Sequence, residues 1–280
     1  KMFENYIEYV DFKPNYLNDI KRAISEFISE NNENESNIYL RRLLLKKIQQ
    51  EPKPFWYDML SWLYVQETAY NKSFIQEKAL YKRNPESLDR IIELAETARK
   101  DNDDDTAKTI FNYVLETTQD QITALTAHQY ILEIDTKDAD EKGLKQIDET
   151  YNNLFKEYGK SLLTIPLQLA YGKFLAFDLK DTAKATSFLK ESLKLPISVY
   201  RQAKIKLLLA DILVLQEKFN EALIFYSQIQ AGLKNSTIAQ EARFKVAKTS
   251  YYKGDFDWAE SQLKILKSST SQLIANDALD

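Results

Sequence analysis

Small residues recur along the chain at a fixed distance from one another, with bulky apolar residues between them. Ala210 and Ala222 are twelve residues apart, and so are Ala247 and Ala259. Twelve residues carry a chain from the middle of one helix, through a short turn, into the middle of the next. The spacing therefore predicts pairs of antiparallel helices that pack closely where the small residues meet.

The same spacing occurs nearer the N-terminus, where Ser61 and Ser73 form one pair and Ala95 and Ala107 form another. The second small residue recurs after 34 residues between these two pairs, and after 37 residues between the two C-terminal pairs. A helix pair with its connections has about this length in helical repeat proteins. The sequence therefore predicts an array of five or six helix pairs over residues 55–267.

The composition agrees with a helical chain. Only 5 glycines and 6 prolines occur in 280 residues, which is too few turn formers for a protein with many strands. Leu, Lys, Glu, Ala and Gln fill the segments between them, and these residues favour helices. The prolines Pro52, Pro54, Pro85, Pro166 and Pro196 fall where one predicted helix ends or another begins.

Three segments carry the residue pattern of a known repeat family. The matching residues are Tyr57, Leu60, Ser61, Tyr64, Ser73, Leu80 and Pro85 in the first segment, Leu94, Ala95, Ala98, Ala107, Phe111 and Val114 in the second, and Val246, Ala247, Tyr251 and the turn Lys253–Asp257 in the third. This pattern resembles the tetratricopeptide repeat (TPR) family, whose unit has a small residue in its first helix, helix A, and another in its second, helix B. The resemblance implies an all-α fold, a right-handed α-α superhelix of antiparallel helix pairs.

The likeness weakens in two places. Between residues 120 and 160, Ala127 suits helix A, but Ala139 in the helix B position is followed by Gly143, where a bulky residue is expected. We expect one long helix there, from about Ala139 to Tyr158. In the unit before Ala185, the turn 179–181 has no glycine, so the register of that unit stays open by one residue.

Both ends fall outside the array. Residues 1–54 predict an N-terminal helical pair, with helices at about Tyr16–Glu30 and Ser36–Gln50. The second of these carries basic residues beside its leucines, so it could lie on a membrane or bind a partner, but we expect the leucines to face the first repeat. Residues 268–280 are typical of a truncated first helix of a further repeat, and such an end predicts self-association through an uncovered apolar face.

The composition excludes several classes of chemistry. The net charge of −4 argues against a nucleic-acid groove. The chain has no cysteine and a single histidine, His128, and its glycines are scattered rather than clustered in a phosphate-binding loop. The acidic run 101–105 lacks the glycine and the final glutamate of a calcium loop, and instead predicts the start of a helix B. We therefore expect no catalytic site, no cofactor and no metal.

The remaining functional signal lies in the residues that the predicted repeats would expose on their surface. The TPR resemblance implies a concave groove lined by one face of each helix A, and the register places these residues in it: Trp62, Gln66, Arg99, Lys100, Asp211, Lys248, Tyr251 and Tyr252. We expect a non-catalytic scaffold that binds a protein or peptide partner there. The alternative is a structural or regulatory part of a larger envelope complex or multidomain enzyme. The sequence shows no membrane span and no signal peptide, and leaves a bacterial envelope or cytoplasmic location open.

Overall fold

The computed structural model describes residues 1–234 and 236–266, and within these ranges the chain forms helices and no strands. The all-α prediction is confirmed there. The chain divides into two compact units, residues 1–134 and 135–280. The predicted division at residues 54 and 267 stays a prediction, and the predicted repeat fragment at 268–280 lies outside the described residues.

The first unit contains a short 3₁₀ helix, Pro14–Tyr16, and eight α-helices, the last of which runs past the boundary. The α-helices are α1 (Met2–Phe12), α2 (Leu17–Ser25), α3 (Glu35–Gln50), α4 (Pro54–Gln66), α5 (Tyr70–Arg83), α6 (Asp89–Lys100), α7 (Asp104–Thr117) and α8 (Gln121–Lys137). Ala127 and Ile134 of α8 are buried in one core with α6 and α7.

The described part of the second unit contains seven further helices and one π-helical turn. The helices are α9 (Glu141–Tyr158), α10 (Ile165–Lys173), α11 (Thr182–Ser192), α12 (Val199–Leu215), α13 (Phe219–Gly232), α14 (Thr237–Lys253) and α15 (Phe256–Leu266). The π-helical turn, Phe174–Asp178, continues α10.

The N-terminal region differs from the predicted helical pair. A helix that we did not predict, α1, buries Phe3, Ile7 and Val10, which lie at helical spacing. The next helix, α2, ends at Ser25 rather than near Glu30. The buried side chain of Asn37 bonds both backbone groups of Ser29, with its Nδ2 2.7 Å from the carbonyl and its Oδ1 3.1 Å from the amide. These bonds hold the chain in a loop, because they take backbone groups that a helix would use.

The basic helix α3 faces inward, as expected. Leu40 and Leu44 are fully buried and share a core with Trp56, Met59 and Leu60 of α4. Leu40 and Leu44 therefore face the first repeat, while Ile38 and Leu45 of the same helix remain exposed.

The small residues lie at the contacts between paired helices. Ser61, Ser73, Ala95, Ala107, Ala185, Ala210, Ala222, Ala247 and Ala259 are all buried. In the α4–α5 pair the two serines touch directly, with their Oγ atoms 2.8 Å apart. A larger side chain at either position would hold the two helices further apart, which explains the twelve-residue spacing.

The turn between helix A and helix B repeats one backbone geometry. A residue with positive φ lies five positions before the small residue of helix B in five pairs: Thr68, Asn102, Lys180, Glu217 and Gly254. In four of these pairs the residue after the positive-φ position donates its backbone amide to the carbonyl five residues before itself, as Asp255 does to Ser250 at 2.8 Å. This hydrogen bond closes the end of helix A in a Schellman motif. Of these five pairs, only α14–α15 has glycine at this position.

The open register before Ala185 is explained by the π-helical turn. The amide of Asp181 donates to the carbonyl of Leu175, six residues earlier, so helix A contains one extra residue. Its small residue is Gly172, thirteen positions before Ala185. A Cβ atom on Gly172 would lie 2.6 Å from Leu189 of helix B. Gly172 therefore takes the place that alanine or serine has in the other pairs.

The long helix predicted from Ala139 begins two residues later. Asp140 caps α9, because its Oδ1 accepts from the amide of Gly143 at 2.7 Å. Ala139 lies in the preceding loop and is not a helix B contact, so that placement was wrong. The helix buries Ile147, Tyr151 and Leu154, which lie at three- and four-residue spacing on one face.

Candidate functional site

Three aromatic rings form an exposed cluster where α14 meets α15. Tyr251, Tyr252 and Phe256 have 61%, 55% and 60% of their surface exposed. The ring of Tyr251 lies 6.2 Å from that of Tyr252 and 5.3 Å from that of Phe256. Lys248 is exposed one turn earlier on α14, with its Nζ 5.6 Å from the ring of Phe244. We call Lys248, Tyr251, Tyr252 and Phe256 the aromatic patch.

The local sequence explains why these rings face outward. Val246, Ala247 and Ser250 fill the buried face of α14, so the two residues after Ser250 fall on the opposite side of the helix. The helix then ends at Gly254, whose left-handed backbone redirects the chain. This turn brings Phe256 back against Tyr251.

Asp211, a predicted groove residue in the same unit, is held by two neighbours. Its carboxylate accepts a hydrogen bond from the Tyr226 hydroxyl at 2.6 Å and from Lys245 Nζ at 2.8 Å. Burial, together with the negative charge of Asp211, raises the pKa of Tyr226 above its ordinary value. The carboxylate thus joins α12, α13 and α14.

In the first unit, a cleft of about 590 Å³ opens between α4 and α6. Its lining residues come from four helices: Asn18 and Lys21 from α2, Asp58, Ser61, Trp62 and Val65 from α4, Ser73 and Glu77 from α5, and Arg90, Glu93, Leu94 and Thr97 from α6. Trp62, which the sequence placed in the groove, is half-buried in its wall. We call this the α4–α6 cleft.

Charged groups bond to one another on the floor of this cleft. Lys21 Nζ lies 2.5 Å from Asp58, and Arg90 bonds both Asp58 and Glu77, the latter at 2.8 Å. Burial would raise the pKa of Asp58, but the positive charges of Lys21 and Arg90 outweigh it, so this pKa lies below its ordinary value. Sequence spacing did not predict this network, since its members lie up to 69 residues apart.

The serines of the α4–α5 pair extend the network inward. The Ser61 hydroxyl donates to Glu77 Oε1 at 2.5 Å. Because a hydroxyl has one proton, the hydrogen bond between the serines is donated by Ser73. Serine rather than alanine at these two positions was the one sequence signal that a polar group would be buried here.

The other predicted groove residues of this unit have different surroundings. The guanidinium of Arg99 stacks on the ring of Tyr130 at 4.7 Å and lies 3.6 Å from Glu133, which ties α6 to α8. Lys100 is exposed and Gln66 is half-buried. Of the eight predicted groove residues, four lie in each unit.

The acidic run 101–105 forms the turn before α7 and the first two residues of that helix, as predicted. Asp103 caps this helix, since its Oδ1 accepts from the amide of Thr106 at 3.2 Å. Within residues 1–234 and 236–266, no three potential metal ligands cluster together. In the same ranges, no helix combines the length and the apolar character needed to cross a bilayer.

Comparison with solved structures identifies the fold. A tetratricopeptide repeat protein from Parabacteroides merdae matches with a TM-score of 0.55 and 10% identity over 99% of this chain and 100% of that chain. A thermophilic TPR protein of Thermus thermophilus matches with a TM-score of 0.50 and 19% identity over 65% of this chain and 91% of that chain. A chain of the APC/C hetero-tetramer Cut9–Hcn1 matches with a TM-score of 0.50 and 13% identity over 99% and 51%.

Sequence comparison adds no closer relative, because no family model and no curated protein matches the chain. The structural matches and the repeated helix pairs agree with the family pattern read from the sequence. The chain thus has an all-α helical repeat fold like that of TPR proteins.

Proposed function

We propose that this chain is a non-catalytic scaffold that binds a segment of another protein on the aromatic patch. The observation that carries the proposal is the exposure of three neighbouring rings, Tyr251 with Tyr252 and Phe256 beside it, each with more than half of its surface uncovered. Large aromatic side chains that are exposed together, beside a charged group, are typical of protein interfaces.

The rings are well supported for this purpose. They lie at the end of α14 and the start of α15, and the buried Val246 and Ala259 anchor these two helices. A tyrosine loses little conformational freedom when it is covered, because it has few rotatable bonds. Binding would therefore bury apolar surface at a small entropic cost, while the hydroxyls and Lys248 stay available for polar contacts.

The absence of a catalytic role is part of the same proposal. A chain with one histidine and no cysteine offers few of the groups that act as nucleophile or general base. An extended peptide or a partner helix is the occupant that a surface of rings and one lysine suits best. The net charge of −4 predicts that nucleic acid is not a partner, and this remains a prediction.

The test begins with photo-crosslinking from position 252, where p-benzoylphenylalanine replaces Tyr252 in the producing organism. The partner captured there is then purified, and its affinity for the chain is measured by isothermal titration calorimetry. We expect Tyr251→Ala with Tyr252→Ala to weaken binding by roughly tenfold or more, as for two aromatic residues at the centre of an interface.

The matched control is Tyr9→Ala with Tyr16→Ala. These two tyrosines are 41% and 45% exposed and their rings are 5.5 Å apart, so the control removes a similar pair in the other unit. The control should bind like the unchanged chain. Equal affinity of the Tyr251/Tyr252 variant would exclude the patch as the binding surface.

A further inference from the structure

The α4–α6 cleft has a charge balance that selects one kind of partner side chain. Five charged residues line it: Lys21, Arg90, Asp58, Glu77 and Glu93. Two are positive and three are negative, so the cleft carries one uncompensated negative charge. The distribution of the contacts identifies where that charge lies.

Both of these cations are already occupied. Lys21 bonds Asp58 at 2.5 Å, and Arg90 bonds Asp58 and Glu77. Asp58 and Glu77 are largely covered, with side-chain exposures of 15% and 6%. A carboxylate or phosphate that entered the cleft would have to break these pairs in order to reach Lys21 or Arg90.

Glu93 is the uncompensated carboxylate. It is exposed at the cleft wall, and within the described residues its side chain forms no ion pair. Its carboxylate oxygens accept no hydrogen bond from residues 1–234 or 236–266; Thr97 Oγ1 donates to its backbone carbonyl instead, at 2.8 Å. On the opposite helix, α4 contributes Trp62 and Val65, which are both half-buried and give the cleft an apolar wall.

We propose that the α4–α6 cleft binds a lysine or arginine side chain of a partner peptide. The methylene stem would cover Trp62 and Val65, and the charged head would pair with Glu93. A long basic side chain suits such a site because its stem is apolar and only its tip is charged. The cleft volume, about 590 Å³, is within the range of small ligand sites. This assignment rests on the proposed protein-binding function and gives it a chemical preference in the first unit.

The test uses the three tryptophans of the chain as probes. Trp56 is fully buried, Trp258 is in the second unit, and Trp62 alone lines the cleft. The ¹⁵N-labelled full chain is titrated with the peptide Ac-Ser-Leu-Arg-Leu-Ser-NH₂ while the indole N–H signals are followed by NMR. The Trp62→Phe variant assigns the signal. We expect the Trp62 signal to move and the other two to stay in place.

Two comparisons separate a charge preference from weak general binding. The same peptide with Glu or norleucine in place of Arg should leave the Trp62 signal unchanged at equal concentration. Glu93→Gln should weaken the affinity for the arginine peptide by roughly two- to fivefold, the range expected for an ion pair that keeps contact with water. The control Glu116→Gln changes the net charge equally at an exposed position of α7 outside the cleft lining, and should leave the affinity unchanged.

Each other result would overturn the assignment. An unmoved Trp62 signal would show that the cleft does not take the basic side chain. Equal binding of the norleucine peptide, or no effect of Glu93→Gln in a variant with unchanged circular dichroism, would show that charge does not select the occupant. Neither result affects the Tyr251/Tyr252 test, so failure of this inference is distinguishable from failure of the proposed function.

Discussion

Gly172 lies directly against Leu189, at the point where α10 crosses α11. A Cβ atom on Gly172 would meet three atoms of the Leu189 side chain at 2.6–2.9 Å, and Leu189 is fully buried. We expect Gly172→Ala to destabilise the second unit by about 1–3 kcal/mol, the usual cost of an overpacked core. Urea unfolding followed by circular dichroism measures this change.

Gly232→Ala is the matched control for that substitution. Gly232 is also helical, but its added Cβ would lie 3.6 Å from Val199, an ordinary contact. This variant should be unchanged or stabilised by up to about 1 kcal/mol, because alanine favours a helix over glycine. In a Leu189→Ala background, Gly172→Ala should cost clearly less than in the unchanged chain. An equal cost in both backgrounds would mean that the close approach is not the cause.

The turn after helix A gives a second prediction, from opposite changes at one repeat position. Glu217 has φ +58° and Gly254 has φ +89°, and nothing lies within 4 Å of a Cβ atom added at Gly254. We expect Glu217→Gly to stabilise the second unit by roughly 0.5–1 kcal/mol, since it removes a left-handed strain. Gly254→Ala should destabilise it by about 1 kcal/mol. Urea midpoints that move in the same direction for both variants would contradict this reasoning.

The sequence predicted the helix contacts well because they depend on local spacing. Ala210 and Ala222, or Ala247 and Ala259, each lie twelve residues apart, and a hairpin of two helices brings such positions together without any other information. The left-handed conformation in the turn after helix A was not predicted, and among the five turns only Gly254 carries the glycine that favours it. Thr68 and Asn102 adopt the same conformation without glycine.

The polar features of the candidate sites were harder to predict. Asp58 and Arg90 lie 32 residues apart, and Lys245 lies 34 residues from Asp211. No spacing rule pairs such residues, because the contact depends on how neighbouring repeats stack. The helix α1 was missed for a different reason. It has no side-chain cap at its N-terminus, so only the spacing of its buried residues indicated a helix.

The 37-residue spacing between Ala222 and Ala259 places Ala259 at the contact between α14 and α15, and this gives a third prediction. Ala259 is 3% exposed at the contact between α14 and α15, so Ala259→Glu would bury a carboxylate without a partner. We expect a loss of roughly 3–5 kcal/mol, the upper part of the range for single substitutions. The control is Ala231→Glu, which adds the same charge at an exposed position of α13 and should change the free energy of unfolding by less than about 0.5 kcal/mol. Comparable stability of the two variants would show that the packing register is wrong.

The charge network below the α4–α6 cleft predicts a specific pH dependence. Asp58 has a folded-state pKa below its ordinary value of 3.8, because Lys21 and Arg90 outweigh the effect of burial. A carboxyl with a depressed pKa stabilises the fold fully above its ordinary pKa, and this contribution is lost as the pH falls through the folded-state value. We expect Asp58→Asn to lower the free energy of unfolding by about 2–4 kcal/mol near neutral pH, since it leaves the covered Lys21 without a charged partner, while Arg90 keeps its pair with Glu77.

The difference in the free energy of unfolding between the unchanged chain and Asp58→Asn should shrink as the pH falls below 3.8 and through the lowered folded-state pKa, because the native aspartate then becomes protonated as well. Urea unfolding at a series of pH values measures it. Asp19→Asn is the control, since Asp19 pairs with Arg22 on the surface of α2, at 3.6 Å and with 64% of its side chain exposed. That variant should lose no more than about 0.5 kcal/mol at any pH. A pH-independent difference for Asp58→Asn would mean that its side chain stabilises the cleft through shape or neutral hydrogen bonds, and not through its charge.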